Sequence, residues 1–225
     1  MIIVLAGAPG AGKGTHAKRV AGTFGVPHVS TGDLLRGAVE AGTELGKKAH
    51  GYMEAGELVP DEIMLSVVGE LLDSPEWADG VVLDGFPRTL PQAEGFDRLL
   101  DGRGRSVDLV VFFDLSEEAA VERLSARLSC PRDGTVYNLK TKPPKNDELC
   151  DVCGGPLERR ADDEPETIRA RHEEYRRLTG PMIEHYKDQG LVARIDAERG
   201  IDAVWQQVSE ALEDLTADSG SGDAR

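Results

Sequence analysis

The chain has 225 residues, enough for one sizeable core with small insertions. Its net charge of -15, from 41 acidic and 26 basic residues, argues against non-specific binding to nucleic acid or an anionic membrane. No apolar run approaches the roughly 20 residues of a membrane span and no basic leader opens the chain, while three cysteines, two of them in a C-x-x-C, favour metal over disulfides and a reducing cytoplasm.

Ile2-Ile3-Val4-Leu5-Ala6 has the length and composition of a buried strand. Gly7-Ala8-Pro9-Gly10-Ala11-Gly12-Lys13-Gly14-Thr15 follows, and Ala17 to Phe24 reads as the body of a helix. Strand, glycine-rich loop and helix form the layout of a phosphate-binding P-loop. Glycines let several N–H groups point at one anion, the helix N-terminus adds partial positive charge, and Lys13 can reach the outer phosphates of a triphosphate. The strict pattern wants a hydroxyl at position 14. Gly14 stands there and Thr15 comes one residue late, which weakens the case for direct magnesium ligation by the loop.

Pro27 to Ser30 is a short strand candidate, and Ser30-Thr31-Gly32-Asp33 has the spacing of a capping box with Arg36 just beyond it. Helices are predicted over Leu34 to Ala41, Glu44 to Ala55 and Asp61 to Leu72, a helical excursion from the sheet. Val81-Val82-Leu83 is a buried strand running into Asp84-Gly85-Phe86-Pro87-Arg88-Thr89. An acid at the carboxyl end of such a strand sits where open α/β sheets bind ligands, and Arg88 offers a planar fork for phosphate. Pro91-Gln92 opens a helix, Leu109 to Phe113 forms a strand, and Ser116 caps the helix after it. That helix is expected to carry Arg123 and Arg127 at i, i+4, either as solvated surface charges or as a pair with an anion beside it.

From Ser129 to Arg160 turns replace periodicity. Cys130-Pro131-Arg132-Asp133 and Cys150-Asp151-Val152-Cys153 frame a short hairpin, the layout of a zinc knuckle with Asp133 in one of the four positions. A metal-free insert held by hydrogen bonds is the plainer alternative. A helix resumes from about Glu164 to Tyr186 with Ile168, Tyr175, Leu178 and Met182 as its buried stripe. Arg171 falls in register with that stripe, and an unpaired buried guanidinium is costly, so an anion in a site should satisfy it. Leu191 to Ile195 is a last strand and Ile201 to Leu215 a last helix. Thr216 to Arg225 reads as a disordered polar tail.

Strands alternating with helices imply an α/β fold with a doubly wound parallel sheet. Arginines 36, 88, 123, 127, 160 and 171 exceed what one triphosphate requires, which points to two phosphate-bearing substrates and phosphoryl transfer. The five histidines form no nucleophile arrangement. The glycine loop, Ser30 to Asp33, Leu83 to Thr89 and Arg160-Ala161-Asp162-Asp163, in that order, resemble the adenylate kinase family over about residues 1 to 215, and the segment after Arg127 resembles its long bacterial lid.

The resemblance implies a P-loop kinase core over 1–215. A helical monophosphate-binding insert would span 30–59 and a zinc-knuckle lid 128–160. It implies ATP on Gly10, Ala11, Gly12, Lys13, Gly14 and Thr15, with Arg127, Val136, Tyr137 and Arg199. AMP would lie on Thr31, Arg36, Glu57, Leu58, Val59, Gly85, Phe86, Pro87, Arg88 and Gln92, the last reading the adenine edge. Arg88, Arg123, Arg160 and Arg171 would hold the transferring group, with Asp162 and Asp163 closing the lid. Asp84 and Asp33 would hold magnesium through water, and Cys130, Asp133, Cys150 and Cys153 a structural zinc ion. The implied reaction is ATP + AMP = 2 ADP by a cytoplasmic monomer that needs neither nucleic acid nor membrane. A kinase for another nucleoside monophosphate, a non-catalytic nucleotide-gated module and a nucleic-acid-binding zinc ribbon are the alternatives.

Overall fold

The computed structural model describes residues 1–146 and 148–220. Strand β1 (Ile2–Gly7) leads through the glycine loop into helix α1 (Lys13–Phe24), and β2 (His28–Ser30) follows. Helices α2 (Thr31–Glu40), α3 (Glu44–Ala55) and α4 (Asp61–Leu72) come next, then β3 (Val81–Asp84), α5 (Leu90–Asp101) and β4 (Leu109–Asp114). Helix α6 (Glu117–Ser125) precedes a small hairpin of β5 (Arg127–Ser129) and β6 (Val136–Asn138). Helix α7 (Pro165–Asp188), β7 (Val192–Asp196) and α8 (Ile201–Gly220) complete the described chain.

The main sheet is entirely parallel, with strand order β2-β3-β1-β4-β7. Its central strand shows why the apolar runs are continuous. Ile2, Val4 and Ala6 pack with α4, α5 and α7, whereas Ile3 and Leu5 pack with α1 and α8. With both faces covered, alternation of polar and apolar residues has no place. The chain moves outward from β1 to β2 and later returns past it to β4. A cavity opens at this reversal, outside the carboxyl ends of β1 and β3.

Local chemistry sets the element boundaries. Ser30 caps α2 by accepting the Asp33 N–H, as its spacing predicts, and Thr43, Thr89 and Ser116 cap α3, α5 and α6 in the same way. Helix α3 lies hard against α2 at Gly46, where an added Cβ would stand 2.0 Å from the Ala38 carbonyl oxygen. Only glycine permits that crossing.

Four expectations change. Helix α6 ends at Ser125, so Arg127 opens β5 and does not share a helix face with Arg123. The hairpin pairs β6 with a strand before Cys130 instead of lying wholly between the two cysteine motifs. On α7 the buried positions are Ile168, His172, Thr179, Met182, Ile183 and Tyr186, while Tyr175 and Leu178 of the expected stripe are only half-buried. Helix α8 continues to Gly220, so the start of the segment read as a tail is helical, and residues 221–225 lie outside the described residues. Among the described residues, no helix is long and apolar enough to cross a membrane.

Candidate active site

The glycine loop folds as a cradle for an anion. Gly10 and Gly12 hold φ of 85° and 88°, which turns the peptide units between them inward. The Ala11 N–H bonds to the Ala8 oxygen at 3.2 Å, and Ala11 is buried. The N–H groups of Gly10, Gly12, Lys13 and Gly14 have no partner among the described residues. Lys13 bends back over this nest, its Nζ donating to the oxygens of Gly7 and Ala8 at 2.8 and 2.9 Å. Those carbonyls fix the ammonium beside the unpartnered loop N–H groups. Burial pushes its pKa down to about 8, and Arg88, Arg171 and Arg127 push the same way against Asp84.

The missing hydroxyl at position 14 has a geometric reason. An added Cβ on Gly14 would stand 3.2 Å from Asp84 Oδ2. Glycine therefore lets the carboxylate at the end of β3 approach the loop. His28 stands on the other side of that carboxylate, with Nε2 4.0 Å from Asp84 Oδ2. Asp33 is engaged by Arg36. Burial opposes ionisation of Asp33, but hydrogen bonding and attraction from Arg36 outweigh it and lower its pKa.

The cavity is walled by the loop on one side and the α2–α4 segment on the other. Lys13, Thr31, Arg36, Glu57, Leu58, Val59, Gly85, Pro87, Arg88 and Gln92 line it, together with Asp162 and Arg171. Phe86 does not, because its ring is fully buried and packs edge-on against Phe96 at 5.2 Å. Arg88 is fixed through Nε to the Gly85 oxygen at 2.6 Å, and its own carbonyl accepts from Thr179 Oγ1 at 2.9 Å. Burial lowers the Arg88 pKa to about 10, with repulsion from Arg171 next.

Arg171 corrects an expectation: it has partners within the protein. It donates to the Asp162 carbonyl at 3.0 Å, pairs with the Asp162 carboxylate at 2.8 Å and lies 3.6 Å from Asp163. Asp163 is fully buried and clasped by Arg127, with Nε to Oδ2 at 2.7 Å. Arg160 donates to Ser129 Oγ at 2.9 Å and reaches within 3.9 Å of Asp33. Burial lowers its pKa to about 10, and the neighbouring Arg127 and Arg36 add to the shift. These guanidiniums repel one another around a space that an anion could fill.

The remaining candidates stand apart. Arg123 reaches the Glu198 carbonyl at 3.4 Å, and exposed Arg199 pairs with Asp196 at 2.9 Å. Tyr137, which the resemblance places at ATP, is buried in the lid, where its hydroxyl accepts from the Asp151 N–H at 2.8 Å. Val136 is exposed beside it. Sequence reading missed Asp61, Thr179 and His28, which act through long-range contacts to Gln92, the Arg88 carbonyl and Asp84 that carry no local spacing signal.

The lid holds a second cluster. The ligand atoms of Cys130, Asp133, Cys150 and Cys153 all lie within 4.8 Å of one another. Cys130 and Cys153 sulfurs are 3.4 Å apart, and Cys150 Sγ is 3.2 Å from Asp133 Oδ2. The two C-x-x motifs have matching turns: the Gly134 N–H bonds to Cys130 O, and the Gly154 N–H to Cys150 O. Gly134 and Gly154 hold φ of 70° and 66°. Asp133 thus occupies in its turn the place Cys153 occupies in the other. Three thiols and a carboxylate gathered this way fit a tetrahedral divalent cation such as zinc.

Cations crowd both walls of the cavity although each costs the others stability, and two phosphate groups meeting there would reverse that cost. The class so defined is a P-loop phosphotransferase. The family model for adenylate kinase matches residues 5–191. An adenylate kinase of Kosmotoga olearia is 49% identical over 215 residues, covering 96% of this chain and 100% of that protein. One from Archaeoglobus fulgidus is 46% identical over 215 residues, covering 96% and 99%, and one from Oceanobacillus iheyensis is 44% identical over 213 residues, covering 95% and 99%. The chain belongs to the adenylate kinase family, phosphotransferases that catalyse ATP + AMP = 2 ADP.

Proposed function

We propose that the cavity binds AMP and the glycine loop binds ATP with Mg2+, so that the γ-phosphoryl group passes between them to give two ADP. The observation that carries this reading is the convergence of Lys13, Arg36, Arg88 and Arg171 on one cavity beside unpartnered loop N–H groups. Gly10 to Thr15 take the ATP phosphates, and Lys13 exchanges two carbonyls for the outer ones. Thr31, Arg36, the Glu57-Leu58-Val59 backbone, Gly85, Pro87, Arg88 and Gln92 take AMP. Phe86 contributes as the packed base of its loop. Magnesium, when bound, would neutralise charge on the phosphates, with Asp84 and Asp33 holding it through water.

Arg123, Arg127, Arg160 and Arg171 gather on the transferring group when inserts 30–59 and 128–160 close over the rest of the 1–215 core. In that step Arg171 and Arg127 turn from Asp162 and Asp163 toward phosphate, and the freed carboxylates hold the lid shut. Val136, the Tyr137 backbone and Arg199 reach ATP only in that state. Closure excludes water, which would otherwise compete for the phosphoryl group. Cys130, Asp133, Cys150 and Cys153 hold structural zinc with no open position, so the ion does not touch the reaction. The protein works as a cytoplasmic monomer on small molecules, without nucleic acid or membrane.

A coupled assay with ATP–Mg and a panel of nucleoside monophosphates tests the reading. ADP should form fastest with AMP, and ATP hydrolysis without acceptor should be a very small fraction of transfer. ATP binding without transfer to any monophosphate would reduce the protein to a nucleotide-gated module. A bisubstrate analogue should protect amides in both segments from hydrogen exchange, and unchanged exchange in both would refute closure.

A further inference from the structure

The cavity wall at Gln92 carries a network that phosphate binding does not require. Gln92 lines the cavity although it is only 2% exposed. Its Oε1 accepts the Arg88 N–H at 2.8 Å, and its Nε2 donates to Asp61 Oδ1 at 2.8 Å. Thr89 Oγ1 donates to the same Asp61 oxygen at 2.9 Å and accepts the Gln92 N–H at 3.1 Å. An amide has two donors and two lone pairs, so one of each remains for a ligand.

Both partners demand the same orientation of that amide. Turned over, its NH2 would face the Arg88 N–H and its carbonyl would face the Asp61 carboxylate. In a buried site, donor against donor and acceptor against acceptor is strongly disfavoured. Asp61 opens α4, and Thr89 and Gln92 at the start of α5 both donate to its carboxylate, which fixes it relative to α5.

We propose that Asp61 is a positioning and specificity-determining residue: it locks the Gln92 amide in the one orientation that accepts adenine and rejects 6-oxopurines. The proposal rests on the reading of this cavity as the AMP site. Adenine presents an amino donor beside a ring-nitrogen acceptor. Hypoxanthine presents a carbonyl acceptor beside an N–H donor. A glutamine free to turn could serve either base, and a locked one serves one.

Asp61→Asn is the test, because a neutral amide can itself turn and follow a turned Gln92. Asparagine is well tolerated near a helix N-terminus, and a thermal melt checks the fold, with Asp61→Ser as a second variant. With AMP and IMP as acceptors, the KM for AMP should rise while kcat stays near its original value. The AMP-over-IMP ratio of kcat/KM should fall about tenfold. Asp61→Glu, which keeps the charge, should retain more of the ratio than Asp61→Asn. Added to Gln92→Leu, Asp61→Asn should change the ratio no further, since no amide remains to be locked. Should Gln92→Leu erase selectivity while Asp61→Asn preserves it, or should Asp61→Asn lower it as much in the Gln92→Leu background as alone, the lock is overturned and the AMP site stands. Should Gln92→Leu leave KM for AMP and selectivity unchanged, the reading of this wall of the cavity fails, and the lock with it.

Discussion

The central cavity and the lid are both built from turns and arginines, yet they are held in opposite ways. The cavity sits on the ends of β1 and β3, whose Val4, Leu5, Val82 and Leu83 are buried between two helical layers. Apolar burial at about 25 cal/mol per Å² holds its walls whether or not a ligand is present. Among the described residues of the lid, the buried cluster is Cys130, Tyr137, Cys150 and Leu157, with Leu128 against it. Two of those residues are candidate metal ligands. A region with so little apolar core depends on hydrogen bonds and on whatever ion its ligands hold. Chemistry and stability should therefore separate by region.

The sharpest break is Lys13→Met in the sheet-held region. Loss of one preorganised charge costs roughly 3–4 kcal/mol of barrier, or a factor of a hundred or more in turnover. The melting temperature should hardly move, since Lys13 contributes two hydrogen bonds to loop carbonyls and no apolar packing. Steady-state rates within tenfold of the original would remove Lys13 from the chemistry.

The converse break lies in the lid. Zinc chelation or Cys150→Ser should lower the melting temperature by roughly 5 °C or more, with the lid losing hydrogen-exchange protection first and activity in the cold largely intact. Metal analysis of protein purified without chelator should give about one equivalent per chain. Less than half an equivalent, with no stability change in Cys150→Ser, would leave the lid to its hydrogen bonds alone.

Arg171→Met straddles the two regions. Its guanidinium bonds Asp162 and lies beside buried Asp163, which keeps Arg127 as a partner. Removing it should cost about 1–3 kcal/mol of stability as well as turnover. Urea melts and kcat measured together check this, and a variant as stable as the parent would show that the Asp162 contact contributes nothing net.

Smallest at neutral pH, where it vanishes, is a pH dependence on the sheet side. His16 is buried between Phe113 and Trp205, with ring centroids at 5.6 and 6.1 Å. Burial, with Arg19 nearby, pushes its pKa from 6.5 down to about 4. Between those values the unfolded chain binds the proton and the folded chain does not. Stability from this group is therefore complete above pH 6.5 and falls as pH drops toward 4, by on the order of 3 kcal/mol. His16→Gln should flatten that part of the stability profile while leaving the lid's exchange rates unchanged. An identical acid slope in the variant would assign it to carboxylates instead.

Local rules made much of this molecule legible in its sequence. Helices α2, α3 and α4 fall within a few residues of their predicted spans because Ser30 and Thr43 cap two of them and Gly42, Gly56 and Pro60 separate them. The glycine loop and the paired cysteine motifs were readable for the same reason: each is a short run whose chemistry is fixed by its own backbone. Tertiary contacts decided the rest. Arg171 looked unpaired because its partners come from the segment before its helix. Tyr137 is a lid core residue because Asp151 and Cys150 fold over it. Asp61 and Gln92, 31 residues apart, meet only because α4 packs beside α5. The sequence by itself determined which residues can bind phosphate or metal, since that depends on residue type and near spacing. Which polar groups already have partners, and which way an amide faces, only the packed structure decides, because those follow from contacts between distant segments.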